Sequence, residues 1–155
     1  MTHPVRFAPS VEQIKPDEAE TIRALEEQFN LIQETTADDY KSGVRAVHAK
    51  AHGIAIGRLT VSAGLPPELA QGIFSHPTSF DAVIRISTNA GDVLDDAIAL
   101  PRGLALKVMD VPGDRLPGSE GETSQDFIMV NGPVFTAPDA GCRVFISIAT
   151  QLSGF

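Results

Sequence analysis

The spacing of apolar residues predicts a helical first part of the chain, followed by a part rich in strands. Residues 1–15 show no clear period and are typical of an extended arm. A helix is predicted next, beginning at Pro16-Asp17-Glu18 and ending in the polar run Thr35-Thr36-Ala37-Asp38-Asp39. Its apolar residues recur at steps of three and four, which gives one apolar stripe: Ile22, Leu25, Phe29 and Ile32.

Four later segments have the residue types and alternation of β-strands. They are separated by turn-forming sequences such as Gly64-Leu65-Pro66-Pro67 and Asn89-Ala90-Gly91-Asp92, and by a loop rich in proline and glycine at 112–125. Residues 68–74 leave room only for a short helix. The pattern therefore predicts an α+β fold in which a helical arm precedes about four antiparallel strands, at 54–61, 80–87, 104–108 and 126–130.

Charge and composition remove several classes of function. The net charge of −8 over 155 residues argues against nucleic acid or an anionic membrane as a partner, because both require an excess of Lys and Arg. No stretch approaches the roughly 20 apolar residues of a membrane helix. The first seven residues do not form a secretory signal, and a single cysteine, Cys142, excludes an internal disulfide. We therefore expect a cytoplasmic protein.

Four short segments carry a family resemblance, and they occur in the family's order. Arg45-Ala46-Val47-His48-Ala49-Lys50 resembles the R-x-V-H-A-K strand of haem catalases, and Val83-Ile84-Arg85-Ile86-Ser87-Thr88 resembles their V-R-F-S-T strand. Residues 101–107 (PRGLALK) resemble P-R-G-F-A-x-K, and residues 126–135 (DFIMVNGPVF) resemble D-L-V-G-N-N-x-P-V-F. The similarity covers residues 45 to about 139. The non-aromatic Ile86 and Leu104 favour the smaller catalase-related proteins.

This resemblance implies a haem b site that acts on hydrogen peroxide or an organic hydroperoxide. Splitting an O–O bond needs a base for one oxygen and an acid for the other, and one imidazole can serve as both. His48 would be that group, with Ser87 fixing its orientation. Arg45 and Arg85 would bind the haem propionates, which planar guanidinium groups suit. Val47 matches the valine that narrows the family's access channel.

The fourth segment departs from the family at one functional position. The first asparagine of the family's N-N pair orients peroxide, and in a straight alignment Val130 stands there while Asn131 matches the second asparagine. Asn131 could orient peroxide only if the strand register shifted by one residue, which would turn its side chain to the other face. Without that shift, disproportionation of peroxide should be weaker than peroxidase-type chemistry.

The iron ligand of the family is also missing. That ligand is a tyrosinate in an R-x-x-x-Y helix towards the C-terminus, whereas the single tyrosine here, Tyr40, precedes His48 and has Thr36 in place of the arginine. Residues 140–155 no longer resemble the family, and we interpret them as an atypical tail that is out of frame or left by truncation. The predicted division is residues 1–42 (arm and helix), 43–139 (distal half of a catalase-like β-barrel, incomplete) and 140–155 (tail).

Two hypotheses remain open on the sequence. In the first, the protein is a catalase-like hydroperoxidase that this chain represents only in part, so that we expect weak or no activity from the chain alone. In the second, the chain is a partial β-barrel without chemistry, and its open edges make it self-associate as a homo-oligomer or recruit a complementary C-terminal half. We predict no direct metal ligation. The other histidines, His3, His52 and His76, are interpreted as solvated, and Arg102 and Lys107 as structural.

Overall fold

The computed structural model describes residues 14–115 and 118–133, and it has the α+β composition that the sequence predicts. The arm before residue 14 lies outside the described residues, as do His3, Cys142 and the tail at 140–155. Within these residues one α-helix is followed by four strands, with a short 3₁₀ helix at Gly72–Phe74. The elements are α1 (Glu18–Tyr40), β1 (Ala51–Val61), β2 (Thr78–Thr88), β3 (Arg102–Val108) and β4 (Gln125–Val130).

The described chain forms two compact units whose boundaries differ from the predicted sequence division. The helical unit contains residues 14–50, 89–99 and 132–133. The sheet unit contains residues 51–88, 100–115 and 118–131. The chain therefore leaves the sheet unit after β2, enters the helical unit for eleven residues, and returns before β3.

Helix α1 continues past the polar run that was predicted to end it. Thr35 Oγ1 donates a hydrogen bond to Leu31 O at 2.9 Å, and Thr36 Oγ1 donates one to Ile32 O at 2.9 Å. Threonine hydroxyls bonded in this way to the preceding turn are compatible with helix. The helix ends instead at Tyr40, where Lys41 adopts a left-handed conformation with φ 53°.

The four strands form one antiparallel sheet in the order β1-β2-β3-β4, and each strand pairs with its neighbour in sequence. Within the described residues the sheet is open, with β1 and β4 as its edges. Alternation places Arg85 and Ser87 on one face of β2, which we call the Ser87 face, and Ile84 and Thr88 on the other, the Thr88 face. A register shift between Ala51 and Gly53 puts a bulge in β1.

The best-buried part of the sheet unit lies on the Thr88 face. Val108 is fully buried and stands opposite Ala82, which is 5% exposed. Phe127, on the same face, packs its ring against Phe74 with the ring centroids 6.0 Å apart. The segment between β1 and β2 therefore covers this part of the face. None of the described helices combines the length and apolar character needed to cross a membrane.

Candidate functional site

Arg45, Val47 and His48 lie in the helical unit, in the segment between α1 and β1. The family resemblance implied a strand at His48, and this is wrong, because β1 begins only at Ala51. His48 instead has a left-handed backbone with φ 54°, a conformation that costs most residues free energy. Its N–H donates to Asn89 O at 3.0 Å, and the N–H of Ala49 donates to Ala90 O at 3.0 Å. The backbone that carries the imidazole is thus fixed by two consecutive hydrogen bonds.

Lys50, whose side chain is largely buried, fixes the His48 segment at its C-terminal end. Lys50 Nζ donates to Leu94 O at 2.6 Å and forms an ion pair with Asp96 Oδ1 at 2.8 Å. The lysine side chain is only 23% exposed, so solvent screens this pair less than a fully exposed one. Residues 48–50 are therefore tied to the 89–96 segment at three successive positions.

Arg85 and Ser87 lie in the sheet unit, two residues apart on the Ser87 face of β2. Ser87 is 4% exposed and stands opposite Gly103 of β3, which in turn stands opposite Val130 of β4. Arg85 is half-buried and stands opposite Ile54 and Ala105. One face of the sheet therefore presents a guanidinium and a buried hydroxyl side by side.

The part of the Ser87 face next to Arg85 is apolar and open. Ile54 is 68% exposed, Ile56 is 85% exposed, and Ile128 on β4 is 72% exposed. Single exposed apolar residues are ordinary, but several on one face of a sheet are typical of a surface that binds a ligand or another protein. Charged pairs bound this surface further along the strands, where Lys107 meets Asp126 at 2.8 Å.

Asn131 follows β4 and has a structural contact that the sequence did not predict. Its Oδ1 accepts a hydrogen bond from the backbone N–H of Arg102 at 2.7 Å, and its own N–H donates to Arg102 O at 3.0 Å. The register has no shift here, so Val130 shares the face of Ser87 and alternation assigns Asn131 to the Thr88 face. Its assignment as a peroxide ligand stays a prediction, and this register does not favour it.

A polar cluster on the Thr88 face was missed by the sequence reasoning. Arg102 Nη1 lies 2.7 Å from His52 Nε2 and 2.5 Å from Thr88 Oγ1, and the last two atoms are themselves 2.5 Å apart. His52 was interpreted as a solvated residue; it is exposed, but its ring is hydrogen-bonded. The bulge at Ala51–Gly53 changes the face of the sheet on which the His52 side chain lies, and the sequence pattern does not predict this bulge.

Other candidate sites have less to offer. Within residues 14–115 and 118–133, no group of three or more His, Cys, Asp or Glu side chains could hold a metal ion. Tyr40 Oη accepts a hydrogen bond from Val93 N at 3.1 Å within the helical unit. A depression of about 200 Å³ beside Gly57 and Leu59 is apolar, but it is smaller than the roughly 300–1,000 Å³ of ordinary ligand sites.

Comparison with known proteins adds no relative. No family model matches the chain, and neither the curated proteins nor the solved structures include one that is significantly similar.

Proposed function

We propose that the chain carries the distal side of a haem b site and belongs to a catalase-like protein that acts on hydrogen peroxide or an organic hydroperoxide. One observation carries the proposal. Arg85 and Ser87, two residues taken from a family motif by sequence alone, share a face of the sheet whose other residues include exposed isoleucines. On the same proposal, the open sheet is part of a catalase-type β-barrel, and the protein works in the cytoplasm.

The residues of the Ser87 face suit a porphyrin. A porphyrin is flat and apolar with two carboxylates at one edge, so it requires an apolar surface with a guanidinium beside it. Ile54, Ile56 and Ile128 supply such a surface, and Arg85 supplies the guanidinium. Arg45 is exposed in its own unit and is the second proposed propionate contact. The 155 residues include no counterpart of the family's R-x-x-x-Y tyrosine, so the proposal concerns the distal side of the haem only.

Bound haem would supply the redox chemistry, and the chain's own residues would handle the proton. His48 would take the proton from one peroxide oxygen and return it to the other, because a neutral imidazole can accept a proton and an imidazolium can donate one. The Ser87 hydroxyl would bond one ring nitrogen and so fix the tautomer. Val47, exposed at 40%, would limit access to the imidazole.

The experiment adds haemin to the full chain and records its visible spectrum and the release of oxygen from hydrogen peroxide. His48→Asn is the best variant, because asparagine tolerates the left-handed backbone that His48 adopts. We expect a defined haem spectrum in both proteins, and whatever turnover the unaltered chain shows should fall by about 100-fold or more in the variant. His76→Ala, which removes an exposed histidine, is the control and should retain activity.

Haem binding itself is tested by two arginine variants. Arg85→Gln should weaken haemin binding, whereas Arg23→Gln, which removes an exposed arginine of α1, should leave it unchanged. A spectrum of free haem with the unaltered chain, or equal effects of the two variants, would contradict the proposal.

A second candidate function is that of a partial barrel without chemistry. The observation that favours it is the edge strand β1, which is long and has nearly all of its residues exposed. An exposed edge strand offers unpaired backbone groups to another chain. Sedimentation of the chain without haem distinguishes the two: a concentration-dependent oligomer that haemin does not alter supports the second candidate.

A further inference from the structure

We propose that Arg102, His52 and Thr88 form a binding site for a small oxyanion. The ligand would present two adjacent oxygens to the guanidinium, as a carboxylate or a phosphate does. The cluster lies on the Thr88 face, opposite the face that carries Arg85 and Ser87, so this proposal does not depend on the proposed haem site. Its three side chains come from three neighbouring strands, β1, β2 and β3.

The first step is that Arg102 has no carboxylate partner within residues 14–115 and 118–133. The ion pairs Lys50–Asp96, Arg58–Asp81 and Lys107–Asp126 do not include Arg102. In a chain with 20 acidic and 12 basic residues, a strand arginine without an acid is unusual. Among the described residues, its guanidinium contacts the His52 ring and the Thr88 hydroxyl.

The second step is the direction in which the guanidinium is held. Its contacts with His52 and Thr88 both use Nη1. Within the part of the chain that the structure describes, Nε and Nη2 have no hydrogen-bond partner, and these two nitrogens form the edge of a guanidinium that binds oxyanions bidentately. The half-buried side chain is thus anchored by one nitrogen and presents its recognition edge.

The third step is that the anchoring residues are themselves fixed. Thr88 is 5% exposed, and its hydroxyl accepts a hydrogen bond from Arg102 Nη1 and lies 2.5 Å from His52 Nε2. Arginine has only donors, so His52 Nε2 is the acceptor in its contact with Arg102. The Arg102 backbone is held on both sides by Asn131. A site fixed before binding loses little conformational entropy when the ligand arrives.

The test is an NMR titration of the full ¹⁵N-labelled chain with inorganic phosphate, followed at the Arg102 Nε–H signal. Sodium chloride at equal ionic strength is the reference, and acetate replaces phosphate in a second arm. We expect saturable shifts with phosphate, acetate or both, and the stronger of the two identifies whether the ligand is a phosphate or a carboxylate. Shifts that chloride reproduces, or that do not saturate, would overturn the site.

Two variants show which side chain is responsible. Arg102→Lys keeps the charge but removes the two-pronged edge, and it should weaken binding by about tenfold or more. Arg58→Gln removes an exposed arginine elsewhere on the same sheet and should leave binding unchanged. Equal weakening by both variants would mean that the anion is attracted by the overall positive charge of the basic side chains and not by a site at Arg102. The titration of the unaltered chain decides the proposal even if an Arg102 variant does not fold.

Discussion

Gly91 lies so close to the carbonyl oxygen of Ala46 that a Cβ at this position would overlap that oxygen, and it would also approach Ile32 Cγ2 to 2.9 Å. The three residues belong to the helical unit and join α1, the His48 segment and the turn after β2. A side chain at position 91 must therefore push apart the segment on which the proposed catalytic histidine stands.

Gly91→Ala should accordingly destabilise the helical unit by about 1–3 kcal/mol, as overpacking typically does. Chemical denaturation followed by circular dichroism measures the change. Gly43→Ala is the matched control, because nothing lies within 4 Å of a Cβ at that position. If the two variants were equally stable, the close approach of Gly91 to Ala46 would be wrong.

The left-handed backbone at His48 predicts an order of stability among its variants. With φ 54°, most side chains at this position carry a cost of about 1–2 kcal/mol, which glycine avoids and asparagine largely avoids. We expect His48→Gly and His48→Asn to be more stable than His48→Val, which should be the least stable of the three. Thermal unfolding of the three variants gives the order. A valine variant as stable as the glycine variant would rule out the positive φ.

Two glycines of the sheet unit should respond to alanine in opposite directions. Gly57 in β1 has open space where a Cβ would lie and an extended backbone, so Gly57→Ala should stabilise the unit by about 0.5–1 kcal/mol. Gly64 has φ +76°, and Gly64→Ala should destabilise it although its surroundings are also open. Denaturation midpoints compare the two, and a common sign for both changes would contradict this account.

The strands were predictable because alternation and turn residues act locally. The predicted segments 80–87 and 126–130 fall within β2 and β4, which extend them by only a few residues. The ends of elements were less predictable. Thr35 and Thr36 favour the end of a helix by composition, but their hydroxyls bond the preceding turn and the helix continues to Tyr40.

The candidate site was predictable only where one motif lies on one strand. The motif spacing of two gives Arg85 and Ser87 a common face by alternation alone. The His48 backbone and the contact of His52 with Arg102 depend on a positive φ and a bulge, and both arise from long-range pairing. The secondary-structure propensities of the residues near His48 and His52 predict neither the positive φ nor the bulge. The facing of Asn131 was a matter of register, which the sequence left open and the β3–β4 pairing fixes.

A fully exposed carboxylate gives a pH prediction for the turn at 118–122. The N–H of Gly118 donates to Glu120 Oε1 at 2.9 Å, and this backbone hydrogen bond, together with that of Glu120 itself, lowers the pKa of Glu120. The bond stabilises the turn at pH values above the ordinary pKa of glutamate. It is lost as the pH falls through the lowered pKa of Glu120. The Gly118 amide shift should therefore titrate at a pH below that of an ordinary glutamate, and Glu120→Gln should abolish the transition. A titration at the ordinary glutamate pKa would contradict the bond.

The loop between β3 and β4 is held by one guanidinium, and its removal should open the loop without unfolding the sheet. Arg115 donates from Nε to Glu122 O at 2.9 Å, from Nη1 to Gly113 O at 3.2 Å and from Nη2 to Val111 O at 2.5 Å. A lysine cannot donate to three carbonyls in these directions. Arg115→Lys should therefore destabilise the loop nearly as much as Arg115→Gln does. We expect amide exchange at Val111, whose N–H donates to Thr123 O at 2.8 Å, to become faster by about tenfold or more. Exchange in β2 should stay unchanged, and Arg58→Gln, which removes an exposed arginine outside the loop, should leave the Val111 amide protected. Unchanged protection of Val111 in both Arg115 variants would show that the loop is held by its backbone bonds alone.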